Sequence, residues 1–374
     1  MKKLKLTELL EGIEDTRRTR SVMYPLTEVL FIMLVAILCG ATSYVKIEMF
    51  GKQREEWFQK YLKLENGVPD ALTYRRVLMM ITPEKMHQLF AAWMKTVIFN
   101  LKGVIALDGK QARRTGDDEK RPLHVVSAFA HEFGVVLGQI ACEEKRNEIA
   151  AIPKLLELLE IKGCIVTIDA MGTQKEIAKK IREKQADYIL ALKENQGNLY
   201  RDVKLFMEEY CQDAEVKKGE HYAYSLNKEH GRFERRECYT YEDIGWLDGK
   251  EKWVDLNGIG MIVATIEEDG IKTVQHHFFI YSCKGMTARQ IMDAKRAHWG
   301  IENSLHWVLD LSFREDESRI RKDYSAENFN ILRQTVYNIL KLDTSFHASI
   351  PSKQFRCILD SEYLEHLLRT FVCS

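Results

Sequence analysis

The chain has 374 residues, 45% apolar and 29% charged, and its 55 basic and 55 acidic side chains cancel to no net charge. That length supports two or three soluble domains with ample core, while the balanced charge excludes naming a partner from global electrostatics and leaves only local clusters to consult. Eight scattered cysteines (39, 142, 164, 211, 238, 283, 357 and 373) form no C-x-x-C pair, which favours reduced thiols in a cytoplasmic protein over a disulfide framework or zinc ribbon.

Residues 1–100 read as a helical domain. The longest apolar run, "VLFIMLVAILCGA" at 29–41, is too short to span a bilayer and follows no cleavable signal, so it is expected as a buried helix. Helical patterns continue through "KIEMFGKQREEWFQKYLKL" and "LTYRRVLMMITPEKMHQLFAAWMKTVIFN". Basic residues cluster at Arg17, Arg18 and Arg20 and at Arg75 and Arg76. Such pairs suit either a solvated face or a helical DNA-binding module.

The pattern changes near residue 103. "GVIALDGK" reads as a strand closing on Asp108, and "PLHVVSAFAHEFGVVLGQIAC" as two strands joined by a tight turn around His131–Gly134. "NEIAAIPKLLELLE" has helical spacing, and "GCIVTIDAMG" is a buried strand closing on Asp169. Thr173 and Glu176 have the form of a capping box for the next helix, and "DYILALKENQ" is a further strand. A three-strand meander followed by alternating helix and strand is the layout of a ribonuclease-H-like core, an α/β fold whose mixed sheet is flanked by helices. The expected catalytic domain is 101–204 plus 286–345. Residues 205–285, with "GRFERRECYTYED", "GIGMIVATIEED" and "TVQHHFFIYSC", form a β-rich insertion. A helix then opens with a Thr287–Gln290 capping box. Further helices span 324–342 and 352–373, and residues 346–374 make a C-terminal helical tail.

Three carboxylates carry the candidate chemistry. Asp108-Gly109 and Asp169-Ala-Met-Gly172 each end a buried strand, where an aspartate is also a common turn residue. Glu302 lies in "HWGIENSLHWVLDLSFREDESRIRK" at the edge of the apolar face formed by Ile301, Leu305, Val308 and Leu309, counted at about 100° per residue. If that face docks on the sheet, the three carboxylates converge. Their mutual repulsion is tolerable when divalent cations neutralise it, and Mg²⁺ or Mn²⁺ takes such oxygen ligands. A two-metal site could then drive phosphoryl transfer, with Asp108 bridging and Asp169 and Glu302 each completing one site.

The order Asp, Asp and a late helical Glu after a β insertion resembles the DDE transposases of bacterial insertion sequences. More narrowly, "ALDGK", "TIDAMGTQ", "ILALKENQ", "HGRFERR" and "HWGIENSLHWVLDLSFREDESRIR" resemble the H-repeat-associated transposases found beside Rhs elements, over about residues 8–345. The resemblance implies metal-dependent strand cleavage at element ends and transfer of the 3′-hydroxyl into target DNA. It implies double-stranded DNA as partner, a homodimeric synapse, no membrane, and metal at Asp108, Asp169 and Glu302. Related transposases also carry a Tyr, Arg, Glu, Lys signature, whose Tyr, Arg and final Lys positions are here Lys295, His298 and Leu309. Cationic DNA contacts then fall to Arg296, His298, His306 or Arg314. The alternatives are a nuclease on the same fold that cuts without joining, and a transposase-derived DNA-binding protein without activity.

Further DNA contacts are expected at Lys193, Asn195 and Gln196 after a strand near the site, and at His230, Arg232, Arg235 and Arg236 in "HGRFERR". Arg319, Arg321 and Lys322 could meet phosphates. Asp310 is expected to pair with Arg314 or face water, with a ligand role as the other reading. Trp299 and Trp307 are expected in the core. His298 and His306 share a helix, but no further ligand stands at zinc spacing.

Overall fold

The computed structural model describes residues 5–15, 17, 22–116, 121–142, 147–229 and 231–373. The expectations for Arg18, Arg20 and His230 lie outside the described residues. Nine strands form one sheet: β1 (Gly103–Ala112), β2 (Leu123–Ala130), β3 (Val135–Cys142), β4 (Cys164–Ile168), β5 (Asp187–Leu192), β6 (Tyr222–Glu229), β7 (Arg232–Tyr241), β8 (Gly258–Glu268) and β9 (Ile271–Tyr281). Their order is β3-β2-β1-β4-β5-β9-β8-β7-β6. The β1-β2-β3 meander is antiparallel, and β4 and β5 join β1 in parallel through helical crossovers. This is the mixed, helix-flanked, ribonuclease-H-like core that the strand pattern anticipates.

The inserted strands make no sheet of their own. β9 pairs antiparallel with β5, and β8, β7 and β6 continue outward. β6 was not anticipated from sequence, because "YAYSLNKE" alternates only weakly. The helix that follows, Ala288–His298, packs on β1, β4, β6 and β7 and so bridges the core strands to the added ones. The Thr287–Gln290 capping box is present with both of its hydrogen bonds, and the Ala288 N–H donates to the Glu220 carbonyl at 2.8 Å, so local and tertiary bonds together fix where this helix starts.

The run at 29–41 forms the helix Leu26–Leu38, buried at every position but Thr27. Among the described residues no helix is long and apolar enough to cross a membrane. Its cover includes the helix Ser325–Leu342, which also packs on Ala71–Met80, Pro83–Val97 and β3. Asn338 on that helix receives the Val136 N–H at 2.9 Å and donates to the Val136 carbonyl at 2.7 Å. A side-chain amide therefore satisfies backbone groups on the edge strand β3, which would otherwise invite pairing with another chain. The C-terminal segment is divided: Asp360 caps a new helix at Ser361, separating it from Ile350–Leu359.

Candidate active site

The register of β1 and β4 brings the two aspartates together. The last parallel pair is Leu107 with Ile168, so one step further along both chains are Asp108 and Asp169. β1 does not close at Asp108 as the sequence suggests. It continues to Ala112 because β2 keeps pairing with it after β4 has ended. Asp108 is therefore held rigidly in mid-strand, at the point where the neighbouring strand falls away.

Asp169 is both a turn residue and a site residue. Its Oδ1 accepts the N–H groups of Met171 and Gly172, each at 3.1 Å. Gly172 is required here, since a Cβ would lie 2.3 Å from Ile168 Cγ2. Thr173 makes no capping box. The helix begins at Lys175 without a side-chain cap, and the fully buried Thr173 hydroxyl lies 2.6 Å from the Ala191 carbonyl and 3.2 Å from that of Asp169. A tertiary acceptor on β5 has outcompeted the local one. Asn195 Nδ2 donates to the Ala170 carbonyl at 2.8 Å, and Gln196 Nε2 to that of Thr173 at 2.6 Å. These two amides, expected as DNA contacts, spend donors on holding the Asp169 loop.

Glu302 comes from the opposite side. After His298 the helix passes into a π-helical segment, Ile301–His306, before resuming as Trp307–Leu311. Such wide turns recur at functional sites because they re-aim a side chain within a continuous helix. Ile301 and Leu305 are fully buried and anchor the segment, while Glu302 remains exposed.

Asp108, Asp169 and Glu302 line one cavity of about 480 Å³. Burial pushes the Asp108 carboxyl up to about 7, and the Asp169 and Glu302 carboxylates add to the rise. Among the described residues no three His, Cys, Asp or Glu side chains already surround a common metal position. Three carboxylates on one cavity are an all-oxygen donor set of the kind a hard divalent cation takes.

Two histidines stand beside these strands. His306 Nδ1 lies 3.7 Å from Asp108 Oδ2, and His298 Nδ1 lies 3.0 Å from Thr167 Oγ1. Burial lowers both rings to about 3, which favours their neutral form. Charge on the cavity wall comes from Lys193, Arg236, Lys295 and Arg296. The Arg236 guanidinium lies 4.1 Å from the Trp299 ring centroid and pairs with Glu234 at 2.8 Å. Trp299 is thus a cavity wall and Trp307 is exposed; neither sits in the core.

A second polar group locks the Glu302 segment to β1. Lys110 pairs with Asp310 at 2.6 Å, with Asp316 at 3.6 Å and closely with Glu315. Asp310 therefore does not pair with Arg314, which turns into the left-handed region (φ +51°) and meets Glu317 at 2.7 Å. Behind the site, His124 Nε2 lies 2.6 Å from Glu148 Oε1, both residues buried. Sequence reasoning missed these groups. The available signal was the "DGK" spacing, which puts Lys110 on the same strand face as Asp108.

The remaining predicted contacts do not line this cavity. Arg75 and Arg76 are exposed on the helix Ala71–Met80, and Arg17 is committed to Asp15 at 2.6 Å. Arg232 and Arg235 are exposed on β7, the latter paired with Glu237 at 2.8 Å. Arg319 and Lys322 are exposed, and Arg321 donates to the Arg114 carbonyl at 3.1 Å.

Comparison with known proteins supplies the family. The family described as "Transposase DDE domain" matches residues 100–339, and the one described as "DDE_Tnp_1-associated" matches residues 7–94. Over 377 aligned positions the chain is 37% identical to YbfL of Escherichia coli K12, covering 97% of both chains. It is equally similar, at 37% with 97% of both covered, to the "H repeat-associated putative transposase YhhI" of the same strain. Among solved structures, a chain from a piggyBac transposase synaptic complex with hairpin DNA is 9% identical, with a TM-score of 0.44 over 97% of this chain and 78% of that one. With the family match running through the sheet, the inserted strands and the Glu302 helix, the chain belongs to the DDE transposase family.

Proposed function

We propose that this protein cuts DNA at the ends of a mobile element and joins the freed 3′-hydroxyl to target DNA, with Asp108, Asp169 and Glu302 as its catalytic carboxylates. The observation that carries the reading is the convergence of the three on one cavity. Mg²⁺ or Mn²⁺ held there would supply an activated oxygen nucleophile and a stabilised leaving oxygen. The chain's own part is geometric. Asp108 is fixed by its pairing with Ser127 on β2, Asp169 is held by the N–H groups its Oδ1 accepts, and Glu302 reaches in from an anchored π segment. In cleavage, a water oxygen bonds to phosphorus and the 3′-oxygen leaves. In joining, that 3′-oxygen bonds to a target phosphorus and the target's 3′-oxygen leaves.

In this reading residues 1–100 bind DNA, 101–204 plus 286–345 perform the chemistry, 205–285 widen the DNA-facing sheet, and 346–374 close the helical side. Lys193, Arg232, Arg235, Arg236, Arg296, Arg319 and Arg321 meet phosphates, and two copies assemble on paired element ends. The test is isosteric: Asp108→Asn, Asp169→Asn and Glu302→Gln should each lower cleavage by about a thousandfold or more while sparing DNA binding. An active Asp108→Asn protein would sink the proposal. Strand transfer from a pre-cut end separates a transposase from a nuclease on the same fold.

A further inference from the structure

Lys295 is the unexplained group in the cavity. It stands on the helix Ala288–His298, seven residues before Glu302, and lines the same cavity as the three carboxylates. Its stem passes apolar walls: the Phe279 ring centroid lies 5.9 Å from Nζ, and Met292 and Ile262 line the space beside it. Among the described residues no carboxylate forms an ion pair with it. A lysine confined in such surroundings without a paired anion is costly unless a ligand brings one. Lys193, the other lysine of this cavity, is exposed and has water for company.

We infer that Lys295 is a substrate-contacting cation, which receives a non-bridging oxygen of the phosphodiester held among Asp108, Asp169 and Glu302. The inference rests on the proposed reaction for the identity of that phosphodiester. The carboxylates would hold the cations that neutralise this phosphate, and Lys295 supplies it a further positive charge from the same cavity. A compact ammonium suits this role, since it offers a point charge where a planar guanidinium would need more room.

The experiment measures binding alone, in EDTA, so that neither cleavage nor a metal ion intervenes. The probe is a duplex of the DNA end that the protein cleaves, made with either an ordinary phosphodiester or a neutral methylphosphonate at the scissile position. The wild-type chain should bind the methylphosphonate duplex about 10- to 100-fold more weakly, the span of a charge-assisted hydrogen bond. Lys295→Met should bind both duplexes alike, Lys295→Arg should keep part of the penalty, and Lys179→Met, at an exposed lysine on the helix Lys175–Glu183 outside the cavity, should keep all of it. Loss of the penalty in Lys179→Met, its survival in Lys295→Met, or its absence from the wild-type chain would each overturn the inference. If Lys295→Met fails to fold, Lys295→Arg decides the matter, since a penalty unchanged from the wild-type chain would overturn the inference. Failure of the carboxylate assignment is read separately, from cleavage by Asp108→Asn.

Discussion

Lys110 and Lys295 flank the helical segment that carries Glu302, and their surroundings are opposite. Lys110 meets Asp310, Glu315 and Asp316, and its side chain is 13% exposed. Lys295 faces a cavity wall with no ion-pair partner among the described residues. The difference teaches how to read a lysine beside a site. One whose charge is satisfied within the chain fastens elements together, here the Glu302 segment to β1, 200 residues away in sequence. One whose charge is left over faces whatever the cavity admits.

The sharpest way to break this comparison is to remove each charge and measure stability. Lys110→Met leaves Glu315, 2% exposed, without its cation, and breaking a buried pair from one side costs about 3–5 kcal/mol. Lys295→Met removes a half-buried charge that no ion pair among the described residues holds, and burial outweighs the pull of Asp169 on it, so thermal stability should hold or rise. Equal losses in the two variants would mean that Lys295 is structural as well. The Lys110 variant should also lose cleavage, because the clamp on the Glu302 segment goes with it.

A smaller effect is expected at Gly109, between Asp108 and Lys110. A Cβ there would stand 2.2 Å from Glu148 Oε1 and 2.8 Å from His124 Nε2. Gly109→Ala must therefore push apart a buried pair, costing about 1–3 kcal/mol by overpacking. Chemical denaturation gives the loss. If the variant keeps wild-type stability and activity, the packing behind Asp108 is slacker than these distances imply.

Lys353 repeats the Lys110 arrangement away from the site and adds a pH signature. It donates to the Leu340 carbonyl at 2.8 Å and stands 3.4 Å from Asp343 Oδ2. Burial alone would raise Asp343, but hydrogen bonds from Ser345 and Tyr363, with Lys353 beside it, hold the carboxyl below its ordinary value. A depressed acid stabilises the fold above its unfolded pKa of about 3.9. That contribution fades as pH falls through the folded value. Asp343→Asn should cost about 1–2 kcal/mol at neutral pH, and the gap from the wild-type chain should close in acid. A gap that stayed constant down to pH 3 would refute the assignment.

What the sequence disclosed and what it hid divide along the same line as the two lysines. Strand and helix order apart from β6, both aspartates and the Thr287 cap follow from patterns a few residues wide, and those were legible. Lys110 with Asp310, or Thr173 with Ala191, are partners that only the closed fold brings together. The π segment at Ile301–His306 was invisible because its residues suit an ordinary α-helix, and a wheel drawn at 100° assumes one. The neutral state of His298 and His306 follows from burial, which "HWGIENSLH" does not reveal.

The smallest expected effect asks whether an unpaired cation means anything without enclosure. Arg75 and Arg76 form no ion pair among the described residues, yet both are exposed on the helix Ala71–Met80, where water satisfies them. Replacing either by Ala should move stability by no more than about 0.5 kcal/mol. If the helical region binds DNA, each lost phosphate contact should flatten the slope of log affinity against log salt by about 1, uniformly across sequences. An unchanged slope would assign both arginines to the solvated surface. It would also set them apart from Lys295, which is half-buried beside the Phe279 ring in the wall of the cavity.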